Sequence, residues 1–268
     1  AVVALDPNTG EVLAMVSKPT YNPNDLETVM NKINAGEDLG SPLINRATSG
    51  KYPPGSTFKV ITTASALENI DGITKRIFED KGKIELGGGQ TLSNNQNKVY
   101  GNINLQKAFE VSSNVVFGTL AQELGNKTLK QTAEDFGFNK DIPSIGFSIS
   151  KSEFPTLESY EVGMIAQSGI GQSSIVSTPM QMALVASTIA NDGVMMEPKL
   201  VNQVVDLNMN VVKKYGDKKY GQVLPTSDAK IIKDYMVNMV KNNFGSKSYF
   251  SGMNVACLLY TSPSPRDS

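Results

Sequence analysis

The stretch of this chain that decides its fold reads Tyr52-Pro53-Pro54-Gly55-Ser56-Thr57-Phe58-Lys59. Its two prolines and its glycine interrupt the incoming chain, and the apolar residues that follow predict a buried helix over residues 56–69. Residues three positions apart lie on one face of a helix, so Ser56 and Lys59 are expected side by side. Burial and the positive end of the helix dipole both disfavour a charged lysine, so Lys59 can act as the base that activates the Ser56 hydroxyl.

The Ser-x-x-Lys spacing has little specificity by itself, because it recurs at residues 148–151 and 227–230. Residues 148–151 lie in an irregular segment, and Ser227 is placed to cap a helix. Ser56 and Lys59 could likewise be an N-cap serine and a lysine that extends to solvent. The preceding Pro-Pro-Gly break and the apolar helix that follows favour the catalytic interpretation.

Composition excludes several other chemistries. The chain of 268 residues contains no histidine, which removes Ser-His-Asp triads, Cys-His pairs and histidine-ligated metals. Its single cysteine, Cys257, allows no internal disulfide and no cysteine metal cluster. Acid–base chemistry must therefore use lysine, tyrosine, carboxylates or a hydroxyl relay. The 25 basic and 26 acidic residues give a net charge of −1, so no nucleic-acid partner is expected.

A second candidate site is Ser112-Ser113-Asn114, which interrupts the apolar helical pattern between Leu105 and Leu124. Polar groups placed there need partners, so they either cap a helix end or face a functional site. The same Ser-x-Asn pattern occurs at Ser93-Asn94-Asn95, in an asparagine-rich stretch that we expect to be an exposed loop.

The order of predicted elements indicates an α+β or layered α/β fold, because strands come first, then many helices, then strands again. Residues 1–6 and 11–17 form a predicted hairpin around a turn with the composition Asp-Pro-Asn-Thr-Gly. Helices are predicted over residues 25–34, 56–69, 104–110, 113–124, 128–136, 178–191 and 227–242, and strand-like segments over residues 200–212.

Together these features resemble the transpeptidase domain of the high-molecular-weight, monofunctional (class B) penicillin-binding proteins. Pro54–Lys59 and Ser112–Asn114 match the first two signature motifs of that family. The resemblance covers residues 1–256, and it implies an α/β (α+β) fold of the penicillin-binding and serine β-lactamase type, with an antiparallel sheet flanked by helices. Supporting similarities are the opening hairpin, Asn45-Arg46-Ala47, Gly169-Ile170-Gly171-Gln172 and residues 178–183.

The resemblance implies a role for each motif residue. Ser56 attacks the carbonyl between the two terminal D-alanines of a peptidoglycan stem peptide, and Lys59 takes its proton. Ser112 relays a proton toward the leaving amine, and Asn114 binds the peptide backbone of the substrate. The backbone amide of Ser56 forms half of the oxyanion hole. β-Lactams, as mimics of the donor peptide, are expected to acylate Ser56 as well. The resemblance also implies that the reaction needs no metal and no organic cofactor.

Two alternatives remain open at this stage: a serine β-lactamase with a deacylating water, and a non-catalytic β-lactam sensor or structural cell-wall protein. The resemblance also implies a location at the bacterial cell membrane, with the catalytic domain on the extracytoplasmic face. It implies a membrane glycosyltransferase as a partner. The membrane anchor is expected to be absent from this fragment, since no run reaches the about 18 apolar residues that a span requires.

The sequence departs from the family pattern at one point. The third family motif, Lys-Thr-Gly, does not occur in it. In the family this motif lies on an edge strand of the sheet, which holds the substrate carboxylate and supplies one oxyanion-hole amide. Residues 257–268 show no periodicity and carry two prolines among serines. We therefore expect a domain truncated before Lys-Thr-Gly, a sheet incomplete at the C-terminus, a non-native readthrough-like tail at 257–268, and an inactive chain.

Overall fold

The computed structural model describes residues 1–87, 89–244, 253 and 255–257. Within these residues the helices are α1 (Leu26–Asn34), α2 (Lys59–Asn69), α3 (Leu105–Glu110), α4 (Asn114–Asp135), α5 (Val162–Ser168), α6 (Pro179–Ala190) and α7 (Thr226–Phe244). The strands are β1 (Val2–Leu5), β2 (Val12–Val16), β3 (Ile77–Asp80), β4 (Lys83–Gly87), β5 (Gln90–Ser93), β6 (Gly101–Asn104), β7 (Val194–Met196), β8 (Gln203–Val205), β9 (Val211–Lys214) and β10 (Lys219–Gln222).

Helices and antiparallel strands confirm the predicted fold class. The strands of the described residues pair two by two, as β1–β2, β3–β6, β4–β5, β7–β10 and β8–β9. The predicted opening hairpin is β1–β2, with Val2 opposite Val16 and Leu5 opposite Val12. In the described residues this hairpin joins no wider sheet, although Glu11 forms an isolated parallel bridge with Lys199.

Helix α2 lies at the centre of the core. Every residue from Lys59 to Ala66 is buried, and the helix packs against α4 and α7. Phe58, directly before the helix, makes edge and stacked contacts with Phe138 and Phe154 at ring-centroid distances of 5.6 and 5.7 Å. Burying each such ring stabilises the fold by roughly 1.5–3 kcal/mol. The core thus fixes the start of α2, where the Ser-x-x-Lys motif lies.

Local signals placed the starts of α3 and α6 correctly, whereas Ser227, interpreted as a helix cap, is the second residue of α7. Asn104 and Thr178 accept hydrogen bonds from the backbone amides of Lys107 and Gln181, and so cap α3 and α6 as expected. The two helices predicted over residues 113–124 and 128–136 form one element, α4, which is interrupted at Gly125. Gly125 has φ +71° and ψ 163°, a conformation that only glycine adopts readily, so the axis breaks where the sequence predicted a helix end.

Candidate active site

Ser56 lies in a turn of 3₁₀ helix, Gly55–Phe58, immediately before α2. The backbone amide of Gly55 donates a hydrogen bond to the carbonyl of Gly171 at 2.9 Å. A Cβ atom on Gly171, whose φ is +70°, would lie only 2.1 Å from the carbonyl oxygen of Gly55. Thr62 in α2 also donates to the carbonyl of Gly169 at 2.8 Å. The segment containing Gly169 and Gly171 therefore holds the Ser56 turn by close backbone contact that only glycine permits at position 171.

Two further supporting motifs, at residues 45–47 and 178–183, are linked to each other beside the same turn. Tyr52 and Ser177 exchange two backbone hydrogen bonds, at 2.9 and 2.8 Å. The amide of Met180, at the start of α6, donates to the carbonyl of Ala47 at 2.9 Å. Segments that are separated by more than 120 positions in the sequence thus form one frame around Ser56. Ser56 itself is half-buried, so its hydroxyl remains partly accessible.

Lys59 is completely buried as the first residue of α2. Its Nζ donates hydrogen bonds to the carbonyl oxygen of Ser112, to Oγ of Ser112 and to Oδ1 of Asn114, each at 2.8 Å. Nζ also lies 5.5 Å from the centre of the Phe117 ring. Burial lowers the pKa of Lys59 from 10.5 to about 7. A large fraction of this amine is therefore neutral near pH 7, as a general base requires.

The structure brings together Lys59, Ser112 and Asn114, which the sequence analysis singled out in two separate motifs. Ser56 lies one turn before Lys59, and its hydroxyl is not among the acceptors of Lys59 Nζ in the described residues. Both expected causes of a lowered lysine pKa are compatible with the structure, since Lys59 is completely buried and is the first residue of α2. Deprotonation of Lys59 would free its Nζ to accept the Ser56 proton.

Ser112 occupies the sharp turn between α3 and α4. Its φ of +53° lies in the left-handed region, which costs a residue other than glycine about 1–2 kcal/mol. This conformation directs both its carbonyl and its hydroxyl at Lys59. Asn114 follows as the first residue of α4; its Oδ1 accepts from Lys59 and its Nδ2 donates to the carbonyl of Ser93 at 2.9 Å. The expected role of Asn114 in substrate binding stays a prediction.

The interpretation of Ser93-Asn94-Asn95 as an exposed loop is wrong at Asn94, which is only 4% exposed. Asn94 Nδ2 donates to both carboxylate oxygens of Asp80 at 2.8 and 2.9 Å, and its Oδ1 accepts from the amide of Val115 at 3.1 Å. Ser113 Oγ donates to Asp80 at 2.6 Å. Sequence reasoning missed Asp80. Its only signal was the alternation in β3, where Phe78 and Asp80 share the buried face.

Two further structural observations concern cofactors and membranes. In the described part of the chain, no three histidine, cysteine, aspartate or glutamate side chains are grouped so as to hold a metal ion. None of the helices described combines the length and the apolar character that crossing a bilayer requires.

The comparison with known sequences agrees with the geometry of the site. The family described as penicillin binding protein transpeptidase domain matches residues 1–256. The peptidoglycan D,D-transpeptidase PbpA of Mycolicibacterium smegmatis is 37% identical over 258 residues, which cover 88% of this chain and 50% of that protein. The peptidoglycan D,D-transpeptidase MrdA of Acinetobacter baumannii is 29% identical over 263 residues, or 91% of this chain and 38% of MrdA. The chain thus spans half or less of the length of these relatives.

Solved structures show the same similarity. Penicillin-binding protein A from M. tuberculosis, as its imipenem acyl-enzyme complex, matches with a TM-score of 0.82 and 31% identity over 89% of this chain and 56% of that one. The D,D-transpeptidase domain of a peptidoglycan glycosyltransferase from Eggerthella lenta matches with a TM-score of 0.85 and 36% identity, over 95% and 64% of the respective chains. This chain belongs to the penicillin-binding protein transpeptidase domain family. Its similarity to PbpA and MrdA confirms the resemblance to the class B group.

Proposed function

We propose that this chain carries the catalytic residues of a peptidoglycan D,D-transpeptidase that cross-links stem peptides through an acyl-enzyme on Ser56. The observation that carries the proposal is the buried amine of Lys59, whose pKa lies at about 7 and whose Nζ contacts Ser112 and Asn114. The relatives named above as D,D-transpeptidases support the same reaction.

The proposed reaction has two halves. Ser56 Oγ attacks the carbonyl carbon of the penultimate D-alanine, and its proton passes to neutral Lys59. The C–N bond to the terminal D-alanine then breaks, and the departing nitrogen receives a proton from Lys59 through the Ser112 hydroxyl. An amine from a neighbouring stem peptide attacks the resulting ester, loses its proton through the same groups, and releases Ser56. The Ser56 amide stabilises the oxyanion, a contribution of about 3 kcal/mol for a single donor.

β-Lactams would follow the first half of this path. Attack of Ser56 opens the lactam amide bond, the ring nitrogen takes the proton, and the acyl group stays attached to the serine. The imipenem and ceftriaxone acyl-enzyme complexes of the M. tuberculosis relative support covalent β-lactam binding as the expected chemistry. No metal or organic cofactor takes part in any of these steps.

Labelling with a fluorescent penicillin tests the proposal. The natural protein that contains this sequence should acquire a stable label, peptide mapping should find it on Ser56, and the Ser56→Ala variant should stay unlabelled. Label retained by Ser56→Ala would refute the assignment. Rapid release of the label would indicate a β-lactamase, and a stable label without cross-linking of peptidoglycan would indicate a sensor or structural protein.

The location and the domain boundary belong to the same proposal. Because its substrate is peptidoglycan, we place the domain on the extracytoplasmic face of the bacterial membrane, with a membrane glycosyltransferase as the partner that supplies new strands. We further assign residues 1–256 to the transpeptidase domain and residues 257–268 to a non-native, readthrough-like tail; the family match, which ends at residue 256, supports that boundary. Protease accessibility in intact spheroplasts tests the orientation, and co-purification of a glycosyltransferase tests the partner.

A further inference from the structure

Asp80 is a buried carboxylate outside the signature motifs. It is the last residue of β3 and is 0% exposed. Among the described residues, no salt bridge includes it. Its oxygens accept hydrogen bonds from Ser113 Oγ, from Asn94 Nδ2 and from the amide of Gly82, at 2.6–2.9 Å. Burying a carboxylate without a counter-ion is costly, so these hydrogen bonds must offset its loss of solvent.

The hydrogen bonds of Asp80 lead to the turn that faces Lys59. Ser113 Oγ donates to Asp80 and at the same time accepts from the amide of Val116 at 3.0 Å, which makes Ser113 the N-cap of α4. Asn94, which is itself held by Asp80, accepts a hydrogen bond from the amide of Val115, the residue directly before Val116. The first turn of α4 is therefore anchored at two successive amides.

Ser113 lies between the two residues that contact the lysine. Ser112 before it is held in the left-handed conformation, and Asn114 after it begins α4. A strained backbone conformation persists only where its surroundings determine it fully, and the anchored Ser113 provides that constraint on the C-terminal side of Ser112. Removal of the anchor would let Ser112 relax and would carry its hydroxyl away from Lys59 Nζ.

We propose that Asp80 is a positioning residue for the reaction: through Ser113 it holds Ser112 and Asn114 in hydrogen-bond contact with the amine of Lys59. Asp80 itself touches neither Lys59 nor the proposed nucleophile in the described contacts. This inference rests on the proposed function, since it assigns to Asp80 the geometry that the acylation step requires.

The test uses the natural protein that contains this sequence, and it separates the acylation rate constant from the dissociation constant of the non-covalent penicillin complex by stopped-flow fluorescence. The Asp80→Ala variant should lose about 10- to 100-fold in the acylation rate constant, because misplacement by about 1 Å costs on that order. Its dissociation constant should change by less than about 3-fold, since Asn114, unlike Ser112, has a second anchor, the hydrogen bond from its Nδ2 to the carbonyl of Ser93, which involves neither Asp80 nor Ser113.

The matched control is Asn126→Ala, in helix α4. Asn126 is also buried and makes hydrogen bonds to the backbone of Pro155 and Leu157, but it has no contact with the turn at Ser112. This variant, like Asp80→Ala, is expected to lower the melting temperature, but it should keep the wild-type acylation rate. A purely structural role for Asp80 predicts the same behaviour for both variants, so equal acylation rates would overturn the proposal.

Variants at Ser113 provide a second test that does not depend on the folding of Asp80→Ala. Ser113→Ala should reproduce the rate loss, and Ser113→Thr, which keeps the hydroxyl, should recover most of the rate. Combined with Asp80→Ala, Ser113→Ala should add little, because both remove one connection. If the rate losses of Asp80→Ala and Ser113→Ala multiply in the double variant, or if Ser113→Ala is fully active, this inference is overturned while the proposed function still stands. A wild-type protein that penicillin does not label on Ser56 would overturn the proposed function and this inference with it.

Discussion

At the scale of single residues, the proposed chemistry depends on how a lysine loses its proton near neutral pH. Lys59 is completely buried, which disfavours an ammonium group, and burial lowers its pKa to about 7. The hydrogen bonds to Ser112 and Asn114 act on the pKa of Lys59 in the opposite direction to burial, because three acceptor atoms stabilise the charged form. The balance leaves an amine that can both take and return a proton, which a two-step acyl transfer requires.

The first prediction concerns pH. Below a pH of about 7, Lys59 is an ammonium ion and cannot accept the Ser56 proton; above it, the neutral amine can. The rate constant for penicillin acylation should therefore rise between pH 6 and 8, with an apparent pKa near 7. Stopped-flow labelling across this range measures it, with the melting temperature followed in parallel to exclude unfolding. A rate independent of pH through this window would contradict the assignment of Lys59 as the base.

The second prediction compares substitutions at the two proton-handling residues. Lys59→Met keeps the length and burial of the side chain but removes the amine, so acylation should fall by at least about 1,000-fold, within the range for a lost general base. Ser112→Ala should cost less, because a water molecule can replace part of the relay. Circular dichroism and melting temperature check that both variants fold. A Lys59→Met protein that acylates at the wild-type rate would exclude the proposed role.

At the scale of elements, the site depends on glycine-mediated contact between the Ser56 turn and the segment before α6. Gly171 lies so close to the carbonyl of Gly55 that a methyl group has no room there. The contact is backbone to backbone, so side-chain repacking cannot relieve the clash. The position of the nucleophile is thus set by an element more than 110 residues later in the sequence.

The third prediction tests this contact. Gly171→Ala should displace the turn that carries Ser56 and lower the acylation rate by about 10- to 100-fold, on the same reasoning about small misplacements. Gly216→Ala is the control, because a Cβ at Gly216 meets no atom within 4 Å and should change stability by less than about 0.5 kcal/mol. The rates at which penicillin labels the two variants are the measurement that tests this prediction. Equal rates for Gly171→Ala and the wild type would show that the contact does not set the geometry.

The sequence predicted those parts of the site whose signals are local. Ser56 and Lys59 belong to one contiguous motif, and Ser112–Asn114 disturb a helical pattern where they stand. Asp80 could not be found in this way, since its partner Ser113 lies 33 residues further along the chain. Asn94 was misassigned for the same reason: an asparagine-rich stretch is typical of loops, and only tertiary contacts reveal that this amide is buried.

At the scale of the whole molecule, the opening hairpin borders an apolar groove. Strand β1 pairs with β2 in the described residues, while its other side faces α6 and α7 across a cavity of about 490 Å³. Val3 and Leu5 line it from the strand, and Ile189 and Met236 line it from the helices. The sequence predicted the hairpin from its alternation and turn, but strand partners distant in the chain leave no local signal.

The last prediction concerns the isolated chain of residues 1–268. It contains no Lys-Thr-Gly, the motif that in the resembled family supplies the second oxyanion amide, and one such donor is worth about 3 kcal/mol of activation free energy. Within the residues that the structure describes, β1 has a partner strand on one edge only, and this edge together with the apolar groove favours self-association. We expect this chain to react with penicillin at least about 100-fold more slowly than a chimera in which the segment of M. smegmatis PbpA beyond the matched region follows Ala256. Size-exclusion chromatography should show more aggregate for the unfused chain. If that chain is monomeric, melts cooperatively and reacts as fast as the chimera, then residues 257–268 belong to the working domain and the proposed boundary at residue 256 is wrong.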